Sequence, residues 1–280
     1  MQLKKRMKNI LVPTDFSPTA INAAEYAIQM AKSINAQIIL LHVFDIPVTV
    51  TDIPVVINTY DDFEKIKEQQ LKDFQNELIS KHGSSISITS VLKAGFVNDV
   101  ISEMVTEKEI DLIVIGITGA GKASELLIGS NASRVIKNSI CPIITIHENV
   151  KYTPIKKVAF ACDYDETEES PALNMLADFI EMFKAKLLII NIVDPSEKPT
   201  YKKILSAALL EHVFDKVNHT VSFQKNEDVV DGINNFVDHH KIDLLVMLPK
   251  KHTLFSRLFH ESNSKKMAFH THIPLLTIHH

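Results

Sequence analysis

An internal repeat is the feature that most constrains how this chain of 280 residues can fold. The segment Asp111-Leu-Ile-Val-Ile returns as Asp243-Leu-Leu-Val-Met. The two copies stay aligned without a gap from Asp111 to Ile146 of the first copy. Their openings match as well, with Asn9-Ile-Leu-Val-Pro-Thr-Asp15 repeated as Lys157-Val-Ala-Phe-Ala-Cys-Asp163. Self-similarity of this kind indicates repeated structural units. We therefore predict two copies of one domain, at residues 1–150 and 151–280.

Each copy alternates apolar runs with segments of helical periodicity. The apolar runs of the first copy predict strands at 9–14, 36–44, 86–92, 111–116 and 142–147. Apolar residues that recur every three or four positions predict helices at 18–34, 61–82, 97–108 and 130–138. Ser17 and Pro18 are typical of a helix start, with serine as the N-cap and proline at the first helical position. Strands that alternate with helices indicate a parallel sheet covered on both faces, so we expect an α/β fold of two tandem Rossmann-like domains.

The composition argues against several classes of partner. The chain has 30 basic and 34 acidic residues, and a net charge of −4 gives no reason to expect nucleic acid or an anionic membrane as a partner. No apolar run approaches the roughly 20 residues of a membrane-spanning helix, and the N-terminus does not have the pattern of a signal peptide. Cys141 and Cys162 have no metal-binding spacing, so we interpret them as reduced core residues of a cytoplasmic protein.

The stretch from Gly116 to Ser130, GITGAGKASELLIGS, links a predicted strand to a predicted helix. Glycines let the backbone approach a phosphate closely, and the unpaired N–H groups of a first helical turn point toward it. Ligands of parallel α/β sheets bind beyond the carboxyl ends of the strands, where the strand order reverses. This rule brings Asp15, Val43 and Gly95 to the same rim as the glycine loop. We therefore predict that the loop holds the phosphates of a nucleotide.

Other ligand motifs are matched only in part. A Walker A motif would need a hydroxyl residue at Ala123 to ligate magnesium. A dinucleotide fingerprint that starts at Gly119 has Ser124 at its third glycine position. The histidines of the second copy have no zinc-binding spacing, and we interpret them as solvated or packed side chains. The spacing Gly116-x2-Gly119-x9-Gly129-Ser130 is a much more specific pattern.

These motifs together resemble the universal stress protein family, in the tandem form with two such domains in one chain. Asn9-Ile-Leu-Val-Pro-Thr-Asp-Phe-Ser17 is similar to the family's first strand and loop, and Leu41-His-Val-Phe-Asp45 is similar to its second strand. The glycine spacing is similar to the signature of the family's ATP-binding branch. The resemblance covers nearly the whole chain. It implies two adenine nucleotide alpha hydrolase-like domains, each with a five-stranded parallel sheet flanked by helices.

The resemblance also implies a ligand and a set of contacts. Asp15 would contact the ribose or adenine, Val43 would line the adenine slot, and the signature residues would hold the phosphates. The full set that we predict to bind nucleotide is Pro13, Thr14, Asp15, Val43, Gly95, Gly116, Gly119, Lys122, Gly129, Ser130 and Asn131. The expected ligand is ATP, with ADP or AMP as alternatives, together with Mg²⁺. No catalytic residue and no protein-held metal site is predicted.

Stress tolerance, nucleotide binding and dimerisation are the family properties that the resemblance implies. We expect a nucleotide-dependent switch or sensor in a stress response, with a protein partner that the sequence does not identify. A slow ATP hydrolase and an interaction module that binds no nucleotide stay open as alternatives. By analogy with family dimers, the terminal strands at 142–147 and 274–279 should pair the two domains about a pseudo-twofold axis and should also form a homodimer. We expect two domain sheets, so one continuous sheet would count against this architecture.

Several predicted site residues also have simpler interpretations. An aspartate after a strand is often a turn residue or a helix cap, although Ser17 is the better cap here and would free Asp15. Gly95 fits a plain turn as well as an approach to the ribose. Lys122 is also consistent with a solvated side chain. Ser130 could cap a helix, which is compatible with a phosphate contact because both use the same geometry.

The second copy departs from the glycine pattern. Leu248, Lys251 and Glu261 replace the three signature glycines, and Ser262 alone is retained. Side chains then fill the path of close backbone approach, and the carboxylate of Glu261 would repel a phosphate. We therefore expect the second domain to be a structural or regulatory partner that does not bind ATP as the first would.

Overall fold

A computed structural model describes residues 7–45, 59–117, 132, 134–136, 139–162, 170–193, 195–196, 201–248 and 273–279. The strands of the first copy are β1 (Asn9–Pro13), β2 (Gln37–Phe44), β3 (Ile88–Ala94), β4 (Leu112–Ile117) and β5 (Ile143–His147). Those of the second copy are β6 (Lys157–Ala161), β7 (Lys186–Val193), β8 (His219–Lys225), β9 (Leu244–Met247) and β10 (Leu275–Thr277). The helices are α1 (Pro18–Ile34), α2 (Thr59–His82), α3 (Val97–Glu107), α4 (Pro171–Phe183), α5 (Tyr201–Val213) and α6 (Val229–His240). Further helical residues lie at 132 and 134–136.

The strands form one ten-stranded sheet in the order β3-β2-β1-β4-β5-β10-β9-β6-β7-β8. Within each half the pairing is parallel, and each half follows the same order of third, second, first, fourth and fifth strand. The predicted α/β class, with a five-stranded parallel arrangement in each copy, is confirmed. The proposed boundary at residue 150 stays a prediction.

The expectation of two sheets that stay separate is wrong. Strands β5 and β10 pair antiparallel and join the two halves. Ile144 lies opposite Leu276, which is its counterpart in the repeat. The two flanking pairs are related by the same symmetry: Ile143 lies opposite Thr277, and Thr145 lies opposite Leu275. This register is what a pseudo-twofold axis between the copies requires. The predicted pairing of the terminal strands is therefore correct, and its backbone hydrogen bonds are the reason that the sheet is continuous.

The homodimer predicted from family dimers stays a prediction, but the terminal strands offer no open sheet edge through which a second chain could pair. Strand β5 is hydrogen-bonded to β4 on one side and to β10 on the other, and β10 lies between β5 and β9. A strand with neighbours on both sides has no free edge for a second chain. The edges of this sheet are β3 and β8.

Alternate residues of each strand point to opposite faces of the sheet. In β1, Ile10 and Val12 join the core under α1 and α2, which continues into the second copy under α4 and α5. Leu11 points the other way, into a separate core with α3. All three side chains are fully buried, and burial of each is worth about 1.5–3 kcal/mol.

The connection between the copies packs against α1. The Asn22 side-chain amide donates hydrogen bonds to the carbonyls of His147 (2.9 Å) and Val150 (2.8 Å). The Tyr152 ring contacts the Tyr26 ring edge-on at 5.2 Å between centroids. These contacts fix the first helix of one copy to the chain that leads into the other. Among the residues that the structure describes, no helix combines the length and apolarity needed to cross a membrane.

Candidate functional site

The crevice of the first copy opens where β1 and β4 diverge. The two strands pair at Ile10–Leu112 and Leu11–Ile113, and the ladder is not continued toward their carboxyl ends, which the structure also describes. Strand β1 pairs with β2 on its other side, while β4 pairs with β5, so the strand order reverses between β1 and β4. A parallel α/β sheet binds its ligands at such a point.

Gly116 allows the N-terminus of α1 to lie directly against β4. A Cβ atom at this position would stand 2.4 Å from the carbonyl oxygen of Thr19 and 2.9 Å from the backbone nitrogen of Ala20. No real Cβ contact is this short, so only glycine fits without a shift of the helix. The first turn of α1 therefore lies beside the crevice, and its N-terminal dipole favours an anion there.

The turn from β1 to α1 presents Asp15. The Thr14 backbone N–H donates to the Leu41 carbonyl at 2.8 Å, which continues the pairing with β2 by one residue. The Thr14 hydroxyl oxygen accepts from the Phe16 N–H at 3.0 Å. Phe16 adopts a left-handed φ of 64°, which is uncommon for a bulky side chain and marks a constrained turn.

Ser17 caps α1 as predicted. Its side chain accepts a hydrogen bond from the Ala20 N–H, and Pro18 begins the helix. Asp15 is therefore not the helix cap, as expected, although its Oδ1 accepts a hydrogen bond from the Ser17 N–H within the turn at 3.0 Å. The Asp15 side chain is nevertheless exposed at the rim of the sheet. Its role as a ligand contact stays a prediction.

His42 is a residue of the site that the sequence analysis missed. It lies near the end of β2 and is 7% exposed, with its Nδ1 2.8 Å from the Thr14 carbonyl oxygen and its ring 4.5 Å from the Phe16 ring between centroids. Burial lowers the pKa of His42, which keeps the ring neutral. The sequence signal was a titratable residue inside the largely apolar run that ends in Phe44.

Val43 and Gly95 lie at the ends of the next two strands. Val43 is half-buried and packs on the α3 side of the sheet, the face opposite to that of His42. Gly95 has a φ of 136°, and its N–H donates to the Phe44 carbonyl at 3.1 Å. The turn role of Gly95 is thereby confirmed, and an approach to a ribose stays a prediction.

Helix α2 adds two further residues near the end of β2. The Phe63 ring lies 5.9 Å from the Phe44 ring between centroids. Lys67 Nζ lies 5.5 Å from the centre of the Phe63 ring, and its charge acts on His42. The helical pattern predicted this helix, but no sequence signal linked its first turns to the site.

The structure thus brings part of the predicted set to the carboxyl ends of β1 to β4. The described members are Pro13, Thr14, Asp15, Val43, Gly95 and Gly116. The remaining predicted members lie outside the described residues: Gly119, Lys122, Gly129, Ser130 and Asn131. In the described ranges, no group of three or more His, Cys, Asp or Glu side chains is arranged to hold a metal ion.

The corresponding rim of the second copy is built differently. Four residues separate β1 from α1, whereas nine separate β6 from α4. Leu248 stands where the first copy has Gly116, and its half-buried side chain packs on the core. Ser170 precedes α4 but forms no side-chain capping bond. The close approach of helix and strand seen at Gly116 is therefore not available to a leucine.

Comparison with known proteins follows the same division into two copies. The universal stress protein family model matches residues 7–147 and again residues 154–279. The chain belongs to the universal stress protein family. The two matches confirm the tandem form inferred from the internal repeat.

Relatives and solved structures agree with this assignment. Universal stress protein MJ0531 of Methanocaldococcus jannaschii is 31% identical over 149 residues, which cover 51% of this chain and 84% of the relative. Universal stress protein Slr1230 of Synechocystis is 24% identical and covers 97% of this chain and 99% of its own. A universal stress protein structure from Archaeoglobus fulgidus is similar with a TM-score of 0.72 at 18% identity, covering 98% of this chain and 99% of its own, which supports the fold.

Proposed function

We propose that the first copy binds one ATP, with ADP or AMP as alternatives, and that this universal stress protein acts as a nucleotide-dependent switch or sensor. The observation that carries the proposal is the crevice at Gly116, where β1 and β4 diverge and the α1 N-terminus meets the strand end. The glycine signature of the sequence continues directly from this residue. A backbone without Cβ beside a helix N-terminus favours phosphate.

The described residues fit the sugar and base as well. Asp15 offers an exposed carboxylate at the rim, which suits a ribose hydroxyl. Val43 offers a half-buried apolar surface on the α3 side of the sheet, which suits an adenine ring. Both side chains come from strand ends adjacent to the crevice, so one ligand could contact them together with the phosphate loop.

Mg²⁺ would enter with the nucleotide. The described residues contain no protein cluster for a metal, so the phosphates would supply most of its ligands, with Asp15 as an exposed carboxylate of the described rim. A bound Mg²⁺ would neutralise phosphate charge.

Binding without efficient turnover is the proposed activity. Asp15, a carboxylate of the rim, is engaged with the Ser17 N–H, and His42 lies on the opposite face of the sheet from Val43. Neither arrangement supports a general base positioned at a phosphate. A switch also requires that ATP favour one arrangement of the protein over another, since equal affinity for both shifts nothing.

Hydrogen exchange of the full chain with and without MgATP tests the proposal. We expect protection at the β1–α1 turn and at the end of β4, with little change in the corresponding segments of the second copy. A steady-state assay for ADP and AMP release should run in parallel. Turnover of about 1 per second or more would identify an enzyme instead. Unchanged exchange at saturating ATP would exclude the switch.

A further inference from the structure

One nitrogen of the buried His42 ring is hydrogen-bonded, and the other has no partner in the described part of the chain. Nδ1 lies 2.8 Å from the Thr14 carbonyl oxygen. A carbonyl oxygen only accepts hydrogen bonds, so Nδ1 carries the proton and Nε2 is the acceptor of the neutral ring. Nε2 is buried and has no hydrogen-bond partner among the described residues. A second proton would therefore create a buried N–H group for which the described residues offer no acceptor.

The second copy makes the same bond with a side chain that does not titrate. Asn191 occupies the position of His42 in the repeat, is 4% exposed, and donates from its amide nitrogen to the Cys162 carbonyl at 2.9 Å. Cys162 corresponds to Thr14, and its N–H donates to the Ile190 carbonyl as that of Thr14 donates to Leu41. The side-chain tether between the first two strands is thus common to both copies, but only the first copy makes it with an ionisable group.

The His42 tether holds the turn that carries Asp15. Thr14 is bonded to His42 through its carbonyl and to the Phe16 N–H through its hydroxyl. The Phe16 ring then lies against the His42 ring, 4.5 Å between centroids. Asp15 is the residue between these two anchored neighbours. A movement of the His42 ring would break its hydrogen bond to Thr14 and its contact with the Phe16 ring, which are its two contacts with the strained turn.

We propose that His42 is a positioning residue for the nucleotide site of the first copy, and that protonation of its ring loosens the Asp15 turn and weakens nucleotide binding. The proposal rests on the proposed function. It concerns a residue that does not itself contact the ligand, because His42 lies on the α1 and α2 face of the sheet while Val43 lies on the α3 face.

The charges around the ring set the direction of the effect. Burial lowers the pKa of His42, and the positive charge of Lys67 on α2 lowers it further, whereas the Thr14 hydrogen bond and the nearby Asp15 charge raise it. The net effect is a pKa of His42 below its ordinary value. A ring released into water has an ordinary pKa of about 6.5, so falling pH below that value favours the released ring over the buried one. Nucleotide affinity should therefore fall as the solution becomes acidic.

A matched variant separates the tether from the titration. His42→Asn copies the second copy's residue, so it should keep the bond to Thr14 and remove the proton. We would measure the Kd for MgATP by calorimetry between pH 7.5 and 5.5 on both full-length proteins. The nucleotide's own phosphate titrates near pH 6 in both series, so the difference between them is the readout. At pH 7.5 the two Kd values should agree within about threefold, because both proteins keep a neutral hydrogen bond to Thr14.

As the pH falls below 6.5 toward the lowered pKa of the buried ring, the wild-type Kd should rise more steeply than that of His42→Asn, with a limit of about an extra tenfold per pH unit for one linked proton. Equal slopes for the two proteins would overturn the proposal.

Should the wild type bind no ATP at neutral pH, the proposed function fails. Amide hydrogen exchange at Asp15 and Phe16 in the ligand-free protein still tests the role of His42. Acid-enhanced exchange at these residues in the wild type but not in His42→Asn supports the inference, and equal pH dependence in both contradicts it. If His42→Asn does not fold, a His42 ring signal in the wild-type NMR spectrum that titrates without shifting Phe16 would also contradict it.

Discussion

The two copies of this universal stress protein share a sheet but differ at the carboxyl ends of their strands. Strand order is the same in both halves, and the first strand of each is tied to the fourth by an aspartate: Asp111 accepts from the Asn9 N–H at 3.1 Å, and Asp243 accepts from the Lys157 N–H at 2.8 Å. These bonds lie at the amino ends of the strands, away from the crevice. The common features are therefore those that hold the sheet together.

The carboxyl ends show what the repeat has not retained. The first copy makes a four-residue turn with a left-handed Phe16 and a glycine under the first turn of α1, whereas the second has a nine-residue connection and a leucine. Core packing constrains both copies alike, but among the described residues the close approach of helix and strand at a glycine is found in the first copy and not at Leu248 of the second. We propose that this difference reflects a division of roles between the two copies, and the following predictions test that proposal in order of expected effect.

The largest effect should come from giving the first copy the second copy's residue at the last signature glycine. We expect Gly129→Glu to weaken ATP binding more than about a hundredfold, or about 2.7 kcal/mol, because a carboxylate then stands where a phosphate is proposed to bind. The reciprocal change Glu261→Gly should leave affinity and stoichiometry unchanged. Calorimetry on both variants, with thermal unfolding to verify the fold, is the measurement. ATP bound equally well by Gly129→Glu would remove the phosphate role of the loop.

A methyl group at Gly116 should cost stability. Gly116→Ala places Cβ at 2.4 Å from the Thr19 carbonyl oxygen, and overpacking of this kind costs about 1–3 kcal/mol. Urea unfolding should show a lower midpoint with little change in slope. The comparison variant is Leu248→Ala, at the same place in the second copy. It removes packing and should also lower the urea midpoint, but it should leave the affinity for ATP unchanged. Wild-type stability for Gly116→Ala would mean that α1 does not lie where the structure has it.

Removal of the exposed carboxylate should have a moderate effect on binding alone. Asp15→Ala deletes one proposed ligand contact, worth about 1–3 kcal/mol, together with the local bond to the Ser17 N–H. We expect a Kd for ATP about tenfold higher or more. Asp163→Ala at the corresponding position of the second copy should not change the Kd. An equal loss of ATP affinity in Asp15→Ala and Asp163→Ala would indicate that both copies contribute to nucleotide binding.

The smallest effect should be on stability in mild acid. Burial lowers the pKa of His42, and burial together with the charge of Lys32 lowers that of His82. Both rings then take up protons more readily in the unfolded chain, so stability should fall as the pH drops below about 6.5. The urea midpoint at pH 5.5 should be lower than at pH 7.5, and His42→Asn should reduce this difference. A midpoint that rises in acid would contradict the assigned direction.

Local patterns predicted the elements well where local chemistry determines them. Helix α1 has the predicted range, because Ser17 caps its start and Asn35, in a left-handed conformation, ends it. The apolar strand β4 was likewise predicted, and it runs one residue beyond the expected end, to Ile117. In each case the residues that decide the boundary lie within the element or next to it.

What the sequence did not reveal depends on contacts between distant residues. The terminal strands were predicted to pair, but nothing in the pattern of β5 or β10 shows that they pair edge to edge through backbone hydrogen bonds, which makes the sheet continuous. His42 was missed because its bond is to Thr14, 28 positions away, while the local sequence is apolar. The left-handed Phe16 could not be predicted because a phenylalanine rarely adopts this conformation.

The central claim is that one copy binds the nucleotide and the other does not. Native mass spectrometry of the full chain with MgATP measures the stoichiometry directly, and Gly129→Glu assigns it to a copy. The account predicts one ATP per wild-type chain and none on the variant. Two ATP per wild-type chain, or one retained by Gly129→Glu, would contradict it.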